Sequence, residues 1–408
     1  MALIRPNVSR LTSAIALSSA TLMLVLSGCG TASTAPSSSS SAAASSAISA
    51  STSASTAATS GYNAGYDDSA AKDHTSFFVK DNGDGTKVIK DVDGKEVTVP
   101  VTAQHVANLW HANNQVLLTL GGAPKLAATT NYVTTIPWFR QIYPEITKVP
   151  APITASNDLN MEELIATKPD VVLVSSEKQA EAVRNAGMTA VRVGFSDMDG
   201  LMQTVNLTAE VLGTQGAYER AQKYNDYMKK NLKLIEERLK DLSDSDRPKV
   251  LHLGDGTDVH KVSGNGIVID EWIKIAGGTN AASSVNSMKD ASMEQITAFA
   301  PEVIIVGGEA SAKGIETIKG DAAWKDVPAV KNDKLIRNPY GTFNWDRYST
   351  EEALQILWAA KTLHPDKFAD VDMVKEVREF YSTFFGYQLS DDDAQRILDG
   401  NPPAGYTA

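Results

Sequence analysis

One helix-and-strand pattern is written twice in this chain, 132 residues apart. The first copy, NMEELIATKPDVVLV, occupies residues 160–174, and the second, SMEQITAFAPEVIIV, occupies residues 292–306. In register they share Met161/Met293, Glu162/Glu294, Ala166/Ala298, Pro169/Pro301, Val171/Val303 and Val174/Val306. Asp170/Glu302, Val172/Ile304 and Leu173/Ile305 are conservative pairs. Each copy reads as a short helix, a proline–acid turn and an apolar run with the length of a buried strand. A chain that repeats such a unit is held to two similar α/β halves.

Around both copies, short apolar runs alternate with helical patterns, which argues βαβ units on a parallel sheet. HVANLW, KLAATT, DVVLVSS and AVRVG mark the first half; KVLHLGDG, EVIIVGG and KLIRNP mark the second. The fold class is therefore α/β, with two Rossmann-like lobes. Between them, residues 217–242 contain neither Pro nor Gly. Tyr224, Met228, Leu232, Ile235 and Leu239 recur there at helical spacing. This predicts a single long backbone helix of about 38 Å that joins the lobes and leaves a cleft between them. Such a strut resists wide hinge motion. Residues 87–100 alternate around Asp93-Gly94 as a hairpin.

The chain opens on a basic start (Arg5, Arg10) and an apolar stretch from Ile15 to Leu26. This is a secretory signal, too short for an ordinary spanning helix. It ends in Leu26-Ser27-Gly28-Cys29, similar to a bacterial lipobox, and Cys29 is the only cysteine. No intramolecular disulfide is available, and acylation of Cys29 would supply the two or more chains that stable anchoring needs. Residues 31–60 are almost wholly Ser, Ala and Thr. They cannot bury enough apolar surface to offset their ordering entropy. The expected layout is a lipoprotein signal peptide over 1–28, a disordered tether over 29–75 and a first α/β lobe over 76–203. An interlobe backbone helix then takes 204–247, a second lobe 248–363 and a C-terminal helical extension 364–408. The expected location is extracytoplasmic, on the outer face of the cytoplasmic membrane, held by lipidated Cys29. The formal net charge of −11 becomes −13 once residues 1–28 and their two arginines are removed. That argues against a nucleic-acid partner. A monomer is expected.

Four stretches and the mid-chain helix, in this order, carry a family resemblance. The stretches are residues 91–100 (DVDGKEVTVP), 161–172 (MEELIATKPDVV), 271–280 (EWIKIAGGTN) and 324–334 (WKDVPAVKNDK). Over residues 87–363 the chain resembles the helical-backbone class (class III) of substrate-binding proteins of ABC importers. That group serves iron–siderophore, haem, cobalamin and related metal-chelate importers. The resemblance implies ligand capture between the lobes and a permease dimer with its ATPase as partner. It also implies no enzyme activity and no cofactor of the protein's own. Glu162 and Glu294 are implied to dock on arginines of the two permease halves. A carboxylate in the first turn of a helix also interacts favourably with the helix dipole, so capping is the alternative role.

Ligands of open α/β sheets bind at loops that follow the strands. Those loops contain Trp110, His111, Trp138, Phe139, His260, Tyr340, Trp345 and Arg347, including three of the six tryptophans. Aromatic planes suit a large chelate, and Arg suits its anionic groups. His111 and His260 are the candidate metal donors. Trp138 and Phe139 also suit a hydrophobic plug, and Arg347 also suits pairing with Asp346 or Glu351. His252, inside a strand, reads as a core or interlobe residue. The expected cargo is an iron–siderophore or similar metal chelate. Haem, cobalamin and nickel or cobalt chelates are the alternatives. Readings of another class are an extracytoplasmic hydrolase and a surface adhesion or sensor protein on the same scaffold. The chain has no G-x-S-x-G, no H-E-x-x-H, no P-loop and no catalytic cysteine to favour the hydrolase.

Overall fold

The computed structural model describes residues 62–63, 65–153 and 158–406. The signal peptide, Cys29 and the Ser/Ala/Thr stretch lie outside the described residues. β1 (Phe78–Asp81), β2 (Thr86–Lys90) and β3 (Glu96–Pro100) form a small antiparallel sheet. The β2–β3 hairpin turns at Asp93-Gly94, with Gly94 at φ 77° and Asp91 Oδ1 accepting the N–H groups of Asp93 and Lys95 at 3.0 Å.

The first lobe contains β4 (Val106–Asn108), β5 (Leu126–Ala128), β6 (Val171–Val174) and β7 (Ala190–Arg192), all parallel, in the order β5-β4-β6-β7. The second contains β8 (Lys249–Leu253), β9 (Lys261–Ser263), β10 (Thr279–Asn280), β11 (Met288–Asp290), β12 (Val303–Val306) and β13 (Leu335–Arg337). Its order is β11-β9-β8-β12-β13, with β10 beside β8; β9 pairs antiparallel with both β8 and β11, and the other pairings are parallel. The central strands are buried, as parallel strands covered by helices on both faces must be.

The two repeats occupy equivalent places. The helix Met161–Ala166 leads into β6 and the helix Met293–Phe299 into β12, and each strand lies between two parallel neighbours. Both connections pass through a non-glycine residue in the left-handed region just before proline, Lys168 at φ 49° and Ala300 at φ 47°. The acid that follows does the same work in both lobes. Asp170 Oδ2 accepts the N–H groups of Gln104 and His105 at 2.8 Å, and Glu302 Oε2 accepts that of Lys249 at 2.8 Å. Their own N–H groups donate to the carbonyls of His105 and Lys249. Each acid thus satisfies backbone groups where the neighbouring parallel strand begins, β4 or β8, before the ladder can do so.

The lobes are joined by the helix Gln215–Leu239, whose Ala217, Ala221, Tyr224, Met228, Ile235 and Leu239 are buried. It follows a second helix, Met198–Leu212, across Gly213 at φ 67°. A Cβ at Gly213 would collide with the Val101 carbonyl, so only glycine fits this reversal. The boundary drawn at 204 falls inside the first of these helices.

Residues 62–63 and 65–75, expected within the tether, are fastened to the first lobe. Tyr62 Oη donates to Leu118 O at 2.7 Å, Asn63 Nδ2 donates to Gly121 O at 2.6 Å, and the Tyr66 and Thr214 hydroxyls lie 2.5 Å apart. His74 Nδ1 and Thr75 N lie 3.1 and 2.8 Å from the carboxylate of Glu210, which is also 2.9 Å from Lys87 Nζ. Two tyrosines and the buried Glu210 carboxylate fasten this stretch to the first lobe.

At the other end, the helices Met373–Phe380 and Asp391–Leu398 pack together, and the tail beyond them bridges the lobes. Asn401 O accepts Trp138 Nε1 at 2.9 Å. Asn401 Oδ1 and Gly400 O accept the Arg337 guanidinium at 2.8 and 2.6 Å.

The repeat predicts matched but unequal energetics. Asp170→Ala removes two charge-assisted bonds and should cost about 1.5–3 kcal/mol in urea unfolding, whereas Glu302→Ala removes one at an exposed position and should cost about 0.5–1.5 kcal/mol. The sites lie in separate lobes, so the double variant should lose the sum within about 0.5 kcal/mol.

Candidate functional site

β4 ends at Asn108, and the chain turns at Trp110 into the helix His111–Thr119. Trp110 and His111 therefore stand at the C-terminal edge of the first sheet, where Ser175 also follows β6 and Phe195 lies beyond β7. On the second lobe, Gly254 and Gly308 lie beyond β8 and β12. The Arg347 guanidinium lies over them, 3.6 and 3.9 Å from where a Cβ on each would be. Both lobes so present strand ends to one region, the arrangement that open α/β sheets use for ligands.

Two groups of aromatic rings bring the lobes together there. His111 stacks on Phe343 (centroids 5.7 Å, planes 17° apart) and meets Tyr132 edge-on at 5.7 Å. Trp110, Phe195 and Tyr348 form a second group with centroids 5.5–5.9 Å apart. Cavities of about 510 and 560 Å³ open here, sharing Trp110, His111 and Ser175 as walls. Lys178 lines the first, and Arg192, Phe195 and Tyr348 line the second.

Burial, followed by the nearby Arg347 charge, pushes the His111 imidazole down to about 4. It is neutral at physiological pH, with a lone pair to offer. Arg347 has only loose protein partners among the described residues, Asp346 Oδ1 at 3.9 Å and the Met288 sulfur at 4.0 Å. Beneath it, Asp346 is fully buried, with Oδ2 2.8 Å from His252 Nε2. Burial opposes its ionisation, but the His252 hydrogen bond and the Arg347 charge prevail and hold its carboxyl below the usual value. His252 is thus a core residue of the second lobe, bonded also to Ser263 Oγ at 2.9 Å.

The ligand set expected from sequence divides. Trp110, His111 and Arg347 come together. Trp138 and Phe139 do not: both are buried in the short helix Pro137–Ile142, and the Trp138 indole is spent on the C-terminal tail. A helix begins at Pro137, and its inward face takes both rings into the core. Trp345 is fully buried and Tyr340 is 2% exposed, so both lie under the cleft loop. His260 turns the other way, with Nδ1 3.3 Å from Ala291 O and its ring against Trp324. Nothing among the described residues joins it to His111, and no group of three or more His, Cys, Asp or Glu side chains there is placed to hold a metal ion. Of the other aromatic walls, Phe343 and Tyr348 lie in the loop after β13 that the sequence marks as a candidate without singling them out, and Tyr132 and Phe195 lie outside the candidate loops. Phe195, Phe343 and Tyr348 follow β7 and β13, so the strand-end rule carried the signal that would have found them.

Glu162 and Glu294 are both exposed. Their helices are capped by other residues, Asn160 bonding Glu163 N at 3.2 Å and Ser292 with Gln295 forming a capping box. The Ser292 hydroxyl holds the Glu294 carboxyl below its usual value.

Comparison with known proteins places these features in context. The family model described as periplasmic binding protein matches residues 106–340. The molybdate-binding protein MolA of Haemophilus influenzae is 27% identical over 347 residues, 76% of this chain and 94% of that one. An uncharacterised ABC transporter substrate-binding lipoprotein of Bacillus subtilis, YvrC, is 25% identical over 66% of this chain and 81% of its own length. Among solved structures, molybdate-bound MolA superposes with a TM-score of 0.67 at 23% identity, covering 74% of this chain and 99% of that one. A periplasmic solute-binding protein of Veillonella parvula superposes with a TM-score of 0.66 at 24% identity, covering 77% and 97%.

The His111 environment predicts a measurable titration. Its NMR midpoint should lie near 4 instead of the ordinary 6.5, and Arg347→Gln should raise it. Because the unfolded chain takes up this proton first, the stability that neutral His111 contributes should fall as pH drops from 6.5 to about 4, then level off.

Proposed function

We infer that the protein, which belongs to the periplasmic binding protein family, captures an anionic metal complex outside the cytoplasmic membrane. It is a solute-binding protein of an ABC importer, and it works with that importer's permease and ATPase. The observation that carries the ligand reading is Arg347. Its guanidinium is 22% exposed and spends no hydrogen bond on a protein oxygen among the described residues. A planar cation held at the strand ends with its donors unspent suits carboxylate or oxyanion groups. Lys178, at the wall of the first cavity, adds a second cation to this region.

The aromatic walls and the size of the cavities favour a chelate, with an iron–siderophore or ferric carboxylate complex as the leading cargo. The ferric-citrate-binding protein YfmC of Bacillus subtilis, 22% identical over 46% of this chain, is in keeping with that. A bare oxyanion is the second reading, favoured by the likeness to MolA. Haem, cobalamin and nickel or cobalt complexes fit less well. His111 is hemmed by Phe343 and Tyr132, the Tyr340 hydroxyl is buried, and His260 lies elsewhere. A hydrolase or adhesion role has no support among the relatives, which are binding proteins.

The remaining parts of the proposal concern delivery. Cys29 carries the lipid, and the Ser/Ala/Thr run behind it lets the body move over the membrane. Glu162 and Glu294, exposed and not needed as caps, meet basic residues on the two permease halves.

Two experiments test this reading. Sodium molybdate and ferric citrate are titrated calorimetrically, with native mass spectrometry on protein from its own host to identify what it carries. Arg347→Gln should weaken the probe that binds by roughly ten- to a hundred-fold. An unchanged affinity would remove the anion reading. For docking, the double charge reversal Glu162→Arg with Glu294→Arg should abolish uptake while ligand affinity and melting temperature stay as in the parent. Normal uptake in that variant leaves the glutamates without a permease role.

A further inference from the structure

The two walls of the cleft come from different lobes, so something must fix their spacing. His111 opens the helix His111–Thr119 on the first lobe. Phe343, Arg347 and Tyr348 lie on the stretch that follows β13 on the second. One turn beyond His111 stands Gln115, fully buried. Its Oε1 accepts from Thr350 N at 2.8 Å and from Thr350 Oγ1 at 2.7 Å, and its Nε2 donates to Thr342 Oγ1 at 3.2 Å. These contacts grip the loop at both ends, with Phe343 and Arg347 between them. Thr342 Oγ1 donates onward to Glu351 Oε2 at 2.7 Å. Glu351 also accepts Phe343 N at 3.1 Å and the Tyr381 hydroxyl, from the C-terminal extension, at 2.5 Å.

We propose that Gln115 is the interlobe positioning residue of the ligand site, latching the His111 wall to the Arg347 wall at one spacing. An apolar side chain here would let the loop slide, since packing has little direction. A buried amide that loses a partner pays the desolvation of that group, so its three bonds hold together or fail together. Thr342, Thr350 and Glu351 are fully buried too, so water cannot replace a lost bond. A preset spacing selects ligands by size and spares the cost of closing the lobes on binding. This rests on reading the cleft as the ligand site, but the latch itself can be measured without ligand.

The experiment uses the full chain carrying Cys29→Ala with spin labels at Ile165→Cys and Thr297→Cys, exposed positions on opposite lobes. Electron–electron distance distributions are recorded for the parent, for Gln115→Met and for Thr350→Val, the milder variant in case the first does not fold. The parent should give one narrow distribution without ligand, and both folded variants should broaden it. Where sodium molybdate or ferric citrate binds the parent, its dissociation constant should rise about tenfold. Distributions as narrow as the parent's overturn the proposal even if the melting temperature drops, because that is a stability role alone. Broadening with the affinity of a bound probe intact overturns it as well. If neither probe binds the parent, the oxyanion and ferric carboxylate readings fail separately and the distributions alone decide the latch.

Discussion

Two polar side chains on the buried face of the helix Gln215–Leu239 reach across to the last part of the second lobe. Tyr224 Oη donates to Thr350 O at 3.1 Å and Asn231 Nδ2 to Ala353 O at 2.8 Å. The rest of the site depends on that fastening. Residues 340–352 contain the aromatic and cationic wall of the cleft, yet they have almost no regular structure of their own. They are held by the backbone helix on one side, by Gln115 on another and by Glu351 with Tyr381 beneath. A helix of about 38 Å is stiff over its whole length, so a loop tied to it inherits that stiffness.

The same stretch concentrates buried charge. Asp346 is held ionised by His252 and Arg347, but its neighbour Glu352 has no such help. Burial first, and then the Asp346 and Glu271 carboxylates, push Glu352 well above the usual range. The Asp346 carboxylate so lies under the Arg347 cation, whose other donors reach no protein oxygen within hydrogen-bond distance among the described residues. Burying polar groups at this density costs stability, and such costs are tolerated where a site must be held in one geometry.

The repeat illustrates how far a sequence can be read. Helix, proline turn and strand are legible because each is local: apolar spacing, a proline–acid pair and a short apolar run. The reason for the acid at Asp170 and Glu302 was not legible, because its partners lie at residues 104–105 and at 249. The backbone helix was legible from its stripe, although Leu232 is only half-buried and Asn231 beside it is buried. A polar residue on the buried face disturbs the apolar pattern and becomes intelligible only through its bond to Ala353.

The sequence by itself determined the two α/β lobes, the strut between them and the strand-end loops that make up the cleft. These follow from periodicity and from the rule that parallel sheets present their loops at one edge. It also singled out Trp110, His111 and Arg347, which sit at those edges. Only the tertiary structure decided which of the other aromatic residues line the cleft. Trp138 and His260 occupy the right loops but point away, one toward Asn401 and the other toward Ala291. Side-chain direction in a loop is set by what packs behind it. Here that is the C-terminal tail and the second lobe's core, both distant in sequence and brought close only by folding.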